Sequence, residues 1–301
     1  MFRGTSSMRL ATFFLILVLS TVGCAEEVLV FQSDFGTKDG AVAAMKGVAV
    51  GVADDLRIYD LTHEIPTFNI WEAALRLDQT AEYWPAGTVF VSVVDPGVGT
   101  ERKSVVLKTK TGHFFVTPDN GTLTFVANTL GIDAVREIDE AVNRRKNSEA
   151  SYTFHGRDVY AYTGARLAAG VISFEGVGDL LPARVKSIPY QKPSIDDGVL
   201  KGNIPILDVQ FGNVWTNIDR GTFLELGLNH GDAANVVIRH AGESVFDAEL
   251  PYHATFGAVA KGEPLIYLNS LNNVALALNQ GDFAGKFYIR SGADWTIEIT
   301  K

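Results

Sequence analysis

The sequence is nearly devoid of cysteine: Cys24 is the only one in 301 residues. No disulfide can close within the chain, and downstream of Cys24 there is no thiolate ligand and no thiol nucleophile. Metal-binding patterns are missing as well. The six histidines are scattered, with neither His-x-His nor His-Glu-x-x-His spacing, so a zinc site is excluded and no metal or other cofactor is expected. Gly-x-Ser-x-Gly and phosphate-loop patterns are absent, which removes the nucleophile elbow and the Walker loop from consideration. Positive charge is in deficit: 26 Lys and Arg face 35 Asp and Glu, a formal net charge of −9. An acidic surface repels phosphate backbones and argues against nucleic acid as a partner. It does not repel a cationic small molecule.

Long hydrophobic runs are scarce too. One, 10–22, follows Arg3 and Arg9 and precedes Gly23-Cys24-Ala25. A basic start, a short apolar stretch and small residues at the exit have the form of a secretory signal peptide, read over 1–25. The run is short for a permanent membrane span. The expectation is an exported protein, periplasmic or held at the cell envelope. Cleavage after Ala25 would give a soluble chain. Val22-Gly23-Cys24 resembles the end of a bacterial lipobox, which would instead make Cys24 a lipidated membrane anchor. With 47% hydrophobic residues, the remainder is long enough to hold itself together by its core.

Over 26–186, strand and helix periodicities alternate. Strands are predicted at 28–33, 56–61 and 88–94, and helices at 39–52, 69–84 and 158–169, with Asn69 as an N-cap. A hairpin is predicted from 104–108 and 113–117 around Thr111-Gly112. This is the pattern of an N-terminal α/β domain with a mostly parallel sheet. Residues 187–197 carry Pro189, Pro193 and Asp196-Asp197 without periodicity and read as a linker. From 198 to 301 the segments are short and strand-like, at 204–209, 235–240, 264–268, 286–290 and 295–300. They predict a smaller C-terminal β-barrel-like domain.

Polar groups follow the apolar strands, at the edge where open α/β sheets bind ligands. In Ser33-Asp34-Phe35-Gly36-Thr37, the Asp34 carboxylate can accept both hydroxyls of a ribose, or can merely stabilise a turn. In Asp95-Pro96-Gly97-Val98-Gly99-Thr100-Glu101-Arg102, the Pro and two Gly turn the chain so that Asp95 and Arg102 can meet. That pairing suits either a functional constellation or an ordinary loop salt bridge. In Thr153-Phe154-His155-Gly156-Arg157-Asp158, His155 is a candidate acid, base or water-holder; alternatively, Asp158 caps the helix and His155 is incidental. Further on, Asp208-Val209-Gln210-Phe211-Gly212-Asn213 offers an acid, an aromatic face and an amide, able to bind an ammonium and read a purine, or simply core and a turn.

Taken in order, these segments resemble the S-adenosylmethionine hydroxide adenosyltransferase family, relatives of the fluorinating and chlorinating enzymes. The likeness runs from Val28 to the C-terminus. It rests on Ser-Asp-Phe-Gly, Asp-Pro-Gly-Val-Gly-Thr-x-Arg, Thr-Phe-His-Gly-Arg-Asp, Phe-Gly-Asn and Asn-Ser. It implies hydrolysis of S-adenosyl-L-methionine at ribose C5′ to adenosine and methionine, by a homotrimer with active sites between subunits. It implies that Asp95, Arg102 and His155 handle the water and that Asp34 holds the ribose. Phe154 would lie against the substrate. Phe211, Asn213 and Phe256 would surround the adenine, and Asp208 and Ser270 would bind the methionine amino end. The halogenating relatives differ at the triad. A halide needs a dry pocket with few donors, whereas water needs acceptors, so Asp95 and His155 favour hydrolysis. The alternatives are halide-dependent adenosyl transfer, or an exported nucleoside-binding protein without turnover. Leu271 stands where the fluorinating relatives carry Arg, and Thr67-Phe68 lies near their sugar-covering Trp.

Overall fold

The computed structural model describes Met1 and residues 27–301; the rest of the leader read over 1–25, including Cys24, lies outside them. Strand β1 (Val28–Ser33) is buried at all six positions because both its faces are covered. Leu29 and Phe31 share a core with Met45 and Ala49 of α1 (Ala41–Val52). Val28 and Val30 pack on the other side with Leu77 and Ala81 of α2 (Ile70–Ala81). Period-two alternation between two helix layers is what a central α/β strand requires. Helix α2 starts where expected: the Asn69 side chain accepts from the Glu72 N–H at 2.9 Å.

The remaining strands of this layer are β2 (Arg57–Thr62), β3 (Val89–Val93), β4 (Ser104–Thr109), β5 (Phe114–Pro118), β6 (Ile132–Glu137) and β7 (Leu180–Leu181), in the order β2-β1-β3-β5-β4-β6-β7. The sheet is parallel from β2 through β5 and antiparallel from there to β7. Its parallel character is thus confined to one half, because the short turn between β4 and β5 leaves no room for a crossover. Ser33 pairs with Val93, so Asp34 and Asp95 leave neighbouring strand ends side by side. Helix α3 (Thr124–Thr129) covers one face, and α4 (Glu140–Asn143) follows β6. The helix predicted at 158–169 begins earlier and wider, as a π-helical turn Gly156–Ala161 running into α5 (Tyr162–Ala168). Such turns occur disproportionately at functional sites.

The C-terminal strands are β8 (Ser194–Asp196), β9 (Val199–Asn203), β10 (Ile206–Asp208), β11 (Asn213–Asp219), β12 (Ala233–His240), β13 (Glu243–Pro251), β14 (Pro264–Leu268), β15 (Asn273–Leu278) and β16 (Trp295–Thr300). They form two antiparallel sheets, β10-β11-β15-β14 and β13-β12-β16-β9-β8. Both contribute to one core, with Val214, Ile266 and Leu276 from the first and Leu200, Val236 and Ile297 from the second. Helix α6 (Arg220–Leu224) follows β11. The segment read as a linker contains β8. Trp71 ties the halves together: its Nε1 donates to the Pro205 carbonyl at 2.7 Å, and its ring packs edge-on against Phe125 and Tyr190.

The strand predicted at 286–290 is a correction. Helix α7 (Phe283–Phe287) occupies its start, because Asp282 caps it by accepting from the Gly285 N–H. Tyr288 then ends it in the left-handed region, at φ 55°.

Candidate active site

Three segments converge on a cavity of about 240 Å³ at the carboxyl ends of β1 and β3, lined among others by Asp34, Phe68, Asp95, Phe154, His155 and Gly156. At its centre is a buried ion pair. Arg102 Nε donates to both Asp95 oxygens at 3.0 Å, and Nη2 donates to Oδ2 at 2.6 Å. The side chains are only 5% (Asp95) and 9% (Arg102) exposed. Arg102 Nη1 also donates to Ser104 Oγ, and the Tyr160 hydroxyl lies 3.4 Å from Asp95 Oδ2. Burial opposes the Arg102 cation, but the Asp95 contact outweighs it and raises its pKa. Burial, with Asp95 next, pushes the Tyr160 phenol well up, so it keeps its proton and can donate. Arg102 does not line the cavity; it works through Asp95.

Asp34 is held by the Phe68 backbone, whose N–H donates to Oδ2 at 2.8 Å. Phe68 itself sits at φ 65°, a strained setting for an aromatic residue. Oδ1 has no hydrogen bond among the described residues. Behind Asp34 runs a chain that the sequence did not signal. The Asp60 carboxylate can only accept, so His63 Nε2, 3.0 Å away, carries the hydrogen. His63 Nδ1 then accepts from Ser33 Oγ at 2.7 Å, and Ser33 Oγ accepts from the Phe35 N–H. Burial works against the Asp60 charge, but hydrogen bonds from Lys46 and His63 hold its pKa below the ordinary 3.8. A carboxylate depressed on folding stabilises above its unfolded pKa and loses that contribution as pH falls through the folded value. Asp60→Asn is therefore expected to lower Tm at pH 7, with the gap to wild type closing below about pH 3.8. Melting curves across pH check this, and a gap that persists at acid pH counts against it.

His155 is 3% exposed. Its Nε2 lies 3.6 Å from Glu140 Oε2, and its Nδ1 is buried without a hydrogen-bond partner among the described residues. Asp158 does not cap the helix; its carboxylate accepts from Arg145 and Arg157. A Cβ on Gly156 would come within 3.1 Å of the Phe35 ring, so the backbone closes this end of the cavity.

The C-terminal residues line a different cavity, of about 860 Å³, which includes Asp208, Phe211, Asn213, Phe256, Asn269 and Ser270. The two cavities share no lining residue. Asn213 Nδ2 donates to Asp208 Oδ2 at 3.1 Å, which leaves the Asn213 carbonyl oxygen for a ligand. Phe211 and Phe256 are 66% and 42% exposed. Asn269 was not singled out by sequence, although the Asn-Ser pair was. Its Oδ1 accepts from Leu271 N and Asn273 N, shaping the Ser270 loop, while its Nδ2 is buried and unbonded.

An α/β layer presenting a buried carboxylate–guanidinium pair is thus joined to an antiparallel β unit whose cavity is lined by Phe211 and Phe256. Residues 29–178 match the model of the SAM hydroxide adenosyltransferase N-terminal domain, and residues 202–296 that of its C-terminal domain. The chain belongs to the SAM hydroxide adenosyltransferase family. It is 38% identical to the (R)-S-adenosyl-L-methionine hydrolase of Methanocaldococcus jannaschii over 71% of this chain and 74% of that protein. It is 29% identical to the fluorinase of Actinopolyspora mzabensis over 91% of this chain and 97% of that one. A solved structure of an uncharacterized conserved protein from Thermotoga maritima superposes with a TM-score of 0.82 at 36% identity, covering 91% of this chain and 100% of that one.

Proposed function

We propose that the protein hydrolyses S-adenosyl-L-methionine by attack of water at ribose C5′, releasing adenosine and methionine. The observation that carries this reading is Asp95, paired from behind by buried Arg102, facing with His155 and Asp34 into one small cavity of a chain from this family. The sulfonium leaves as a neutral thioether, so no acid is needed at sulfur. Positioning of a water in line with the C5′–S bond supplies several kcal/mol, up to about 7–11 in ideal cases. Asp95 Oδ1, which among the described residues takes only the Arg102 Nε bond, is the oxygen with capacity to orient that water. Asp34 takes the ribose hydroxyls, and Phe154 bounds the same cavity. Phe211, Phe256 and the Asn213 carbonyl receive the adenine; Asp208 and Ser270 receive the methionine amino end. The relatives named as hydrolases specify the (R) sulfonium form, so we assign that epimer as the substrate.

The assay incubates purified protein with each sulfonium epimer in ¹⁸O water, with and without chloride or fluoride. Adenosine labelled at the 5′ oxygen is expected, with faster turnover of the (R) form and no halide requirement. A 5′-halogenated nucleoside would make the protein a halide transferase. Adenosine binding without turnover would leave a binding protein.

Because the two sets of ligand groups lie in separate cavities and Phe211 and Phe256 are left exposed, we further propose a homotrimer in which one subunit's Asp34 cavity meets the next subunit's Phe211 cavity. Light scattering is expected to give a trimer mass. A stable monomer with full activity would contradict this.

A further inference from the structure

Glu140 opens α4 and touches the back of His155. Its Oε2 lies 3.6 Å from His155 Nε2 and accepts from Arg144 Nη1 at 2.7 Å. Arg144 is itself fixed. Its Nε donates to Ser148 Oγ, its Nη2 donates to the Ser148 and Ser151 carbonyls, and its guanidinium lies 4.5 Å over the Tyr152 ring. That ring in turn sits 6.0 Å from the His155 ring. The Glu140 carboxylate is therefore held from behind by a side chain with little freedom. A carboxylate accepts and does not donate, so at 3.6 Å it favours the hydrogen on the ring nitrogen facing it. In the neutral imidazole the lone pair then falls on Nδ1, the buried nitrogen that no protein group uses.

We infer that Glu140, braced by Arg144, is a positioning residue that fixes His155 as the Nε2–H tautomer and thereby makes Nδ1 the proton acceptor for the attacking water. The inference rests on the hydrolase reading and decides which of Asp95 and His155 takes the proton. Asp95 is the poorer acceptor. Its Oδ2 already receives Arg102 twice and faces the Tyr160 hydroxyl. Neutralising it would strand a buried guanidinium. In the step, the water oxygen bonds to C5′ as the C5′–S electron pair passes to sulfur, which leaves as the neutral thioether of methionine. The proton shed by the new hydroxyl goes to Nδ1. The resulting imidazolium is stabilised by the Glu140 carboxylate and returns its proton to solvent, so the reaction releases one proton in all. This is the base-and-orienter arrangement of nucleophilic triads, with water in place of the side-chain nucleophile. Glu140 is suited to it: the His155 contact, against the cost of burial, keeps its carboxyl below the ordinary 4.5.

The test uses full-length protein labelled with ¹⁵N-histidine. Wild-type His155 is expected to show a protonated Nε2 and a bare Nδ1; a spectrum with the hydrogen on Nδ1 overturns the inference whatever the kinetics. Glu140→Gln keeps the volume and an acceptor for Arg144, and Glu140→Ala removes both. In Glu140→Ala the tautomer preference is expected to be lost. kcat is expected to fall by about tenfold to a hundredfold, less than the roughly 10²–10⁴ of full acid–base help because Glu140 acts through His155, with KM and adenosine Kd unchanged within about twofold. Glu140→Gln is expected to lose less. If Glu140→Ala fails to fold, Glu140→Gln is decisive: wild-type kcat with an unaltered tautomer ratio overturns the inference. A wild-type enzyme without hydrolysis would sink the hydrolase reading instead, a different failure that the NMR spectrum would not register.

Discussion

Asp95→Asn is expected to lower kcat by at least tenfold to about a hundredfold, and to lower Tm in the same protein. Both effects come from one contact. The variant keeps an oxygen that can orient water but loses the charge, and it leaves Arg102 buried without its counter-ion. Breaking a buried pair costs about 3–5 kcal/mol when one partner is removed outright; retained hydrogen-bonding capacity reduces that here. Turnover must therefore be measured on protein shown to be folded at the assay temperature. His155→Ala serves as the companion, since among the described residues the His155 side chain has one charged contact, Glu140 at 3.6 Å, and its loss disturbs less. It is expected to match Asp95→Asn in kcat with a smaller fall in Tm. The double variant should lose less than the product of the singles, because groups acting as a unit are not additive. Adenosine Kd should hold in all three, as Asp34, Phe211 and Asn213 are intact. Wild-type turnover in folded Asp95→Asn would reduce the pair to a salt bridge.

Gly212→Ala is expected to disable the other cavity. Gly212 sits at φ +70°, and a Cβ there would lie 1.8 Å from Asp282 Oδ1 and 3.0 Å from the Asp282 Cα. Asp282 cannot yield freely, because its carboxylate caps α7, and the Gly212 carbonyl accepts from the Ala284 N–H. The left-handed backbone adds about 1–3 kcal/mol and the overpacking a similar amount. The 208–213 turn must shift, moving Phe211 and Asn213 together. Adenosine Kd is expected to weaken at least about tenfold, with a measurable drop in Tm. Calorimetry on folded protein showing an unchanged Kd would remove this turn from the adenine site.

The sequence was most legible where one strand had to be buried on both faces. Val28–Phe31 and Val89–Val91 are unbroken apolar runs, which places the carboxylates that follow their strands at the sheet edge on sequence grounds alone. The Asp95–Arg102 contact was legible because Pro96, Gly97 and Gly99 bend the chain within a few residues. What could not be read there was that the pair is buried and that Asp95 lines a cavity, since burial is a tertiary fact. Glu140 and His63 were illegible for a similar reason. The Glu140–Arg144 spacing is visible as an i,i+4 ion pair, but nothing in the chain links 140 to 155 or 33 to 63. Strand β13 buries only Phe246 and Leu250 and leaves Val245 exposed, too thin a pattern to declare itself. Over 286–290, aromatic and β-branched residues suggested a strand, and the Asp282 cap prevailed.

The burial of Asp95 against Arg102 also constrains how such a site can change over generations. A mutation at 95 alone strands a guanidinium in the interior, and a mutation at 102 alone strands a carboxylate. Either intermediate carries a folding defect before any new chemistry can be selected. Residues in direct contact of this kind are energetically coupled, so passage from the water-handling pocket proposed above to a halide-handling one requires paired replacement or prior surplus stability. Lineages descending from a chain like this one should then show positions 95 and 102 exchanged together, with the solitary exchanges rare.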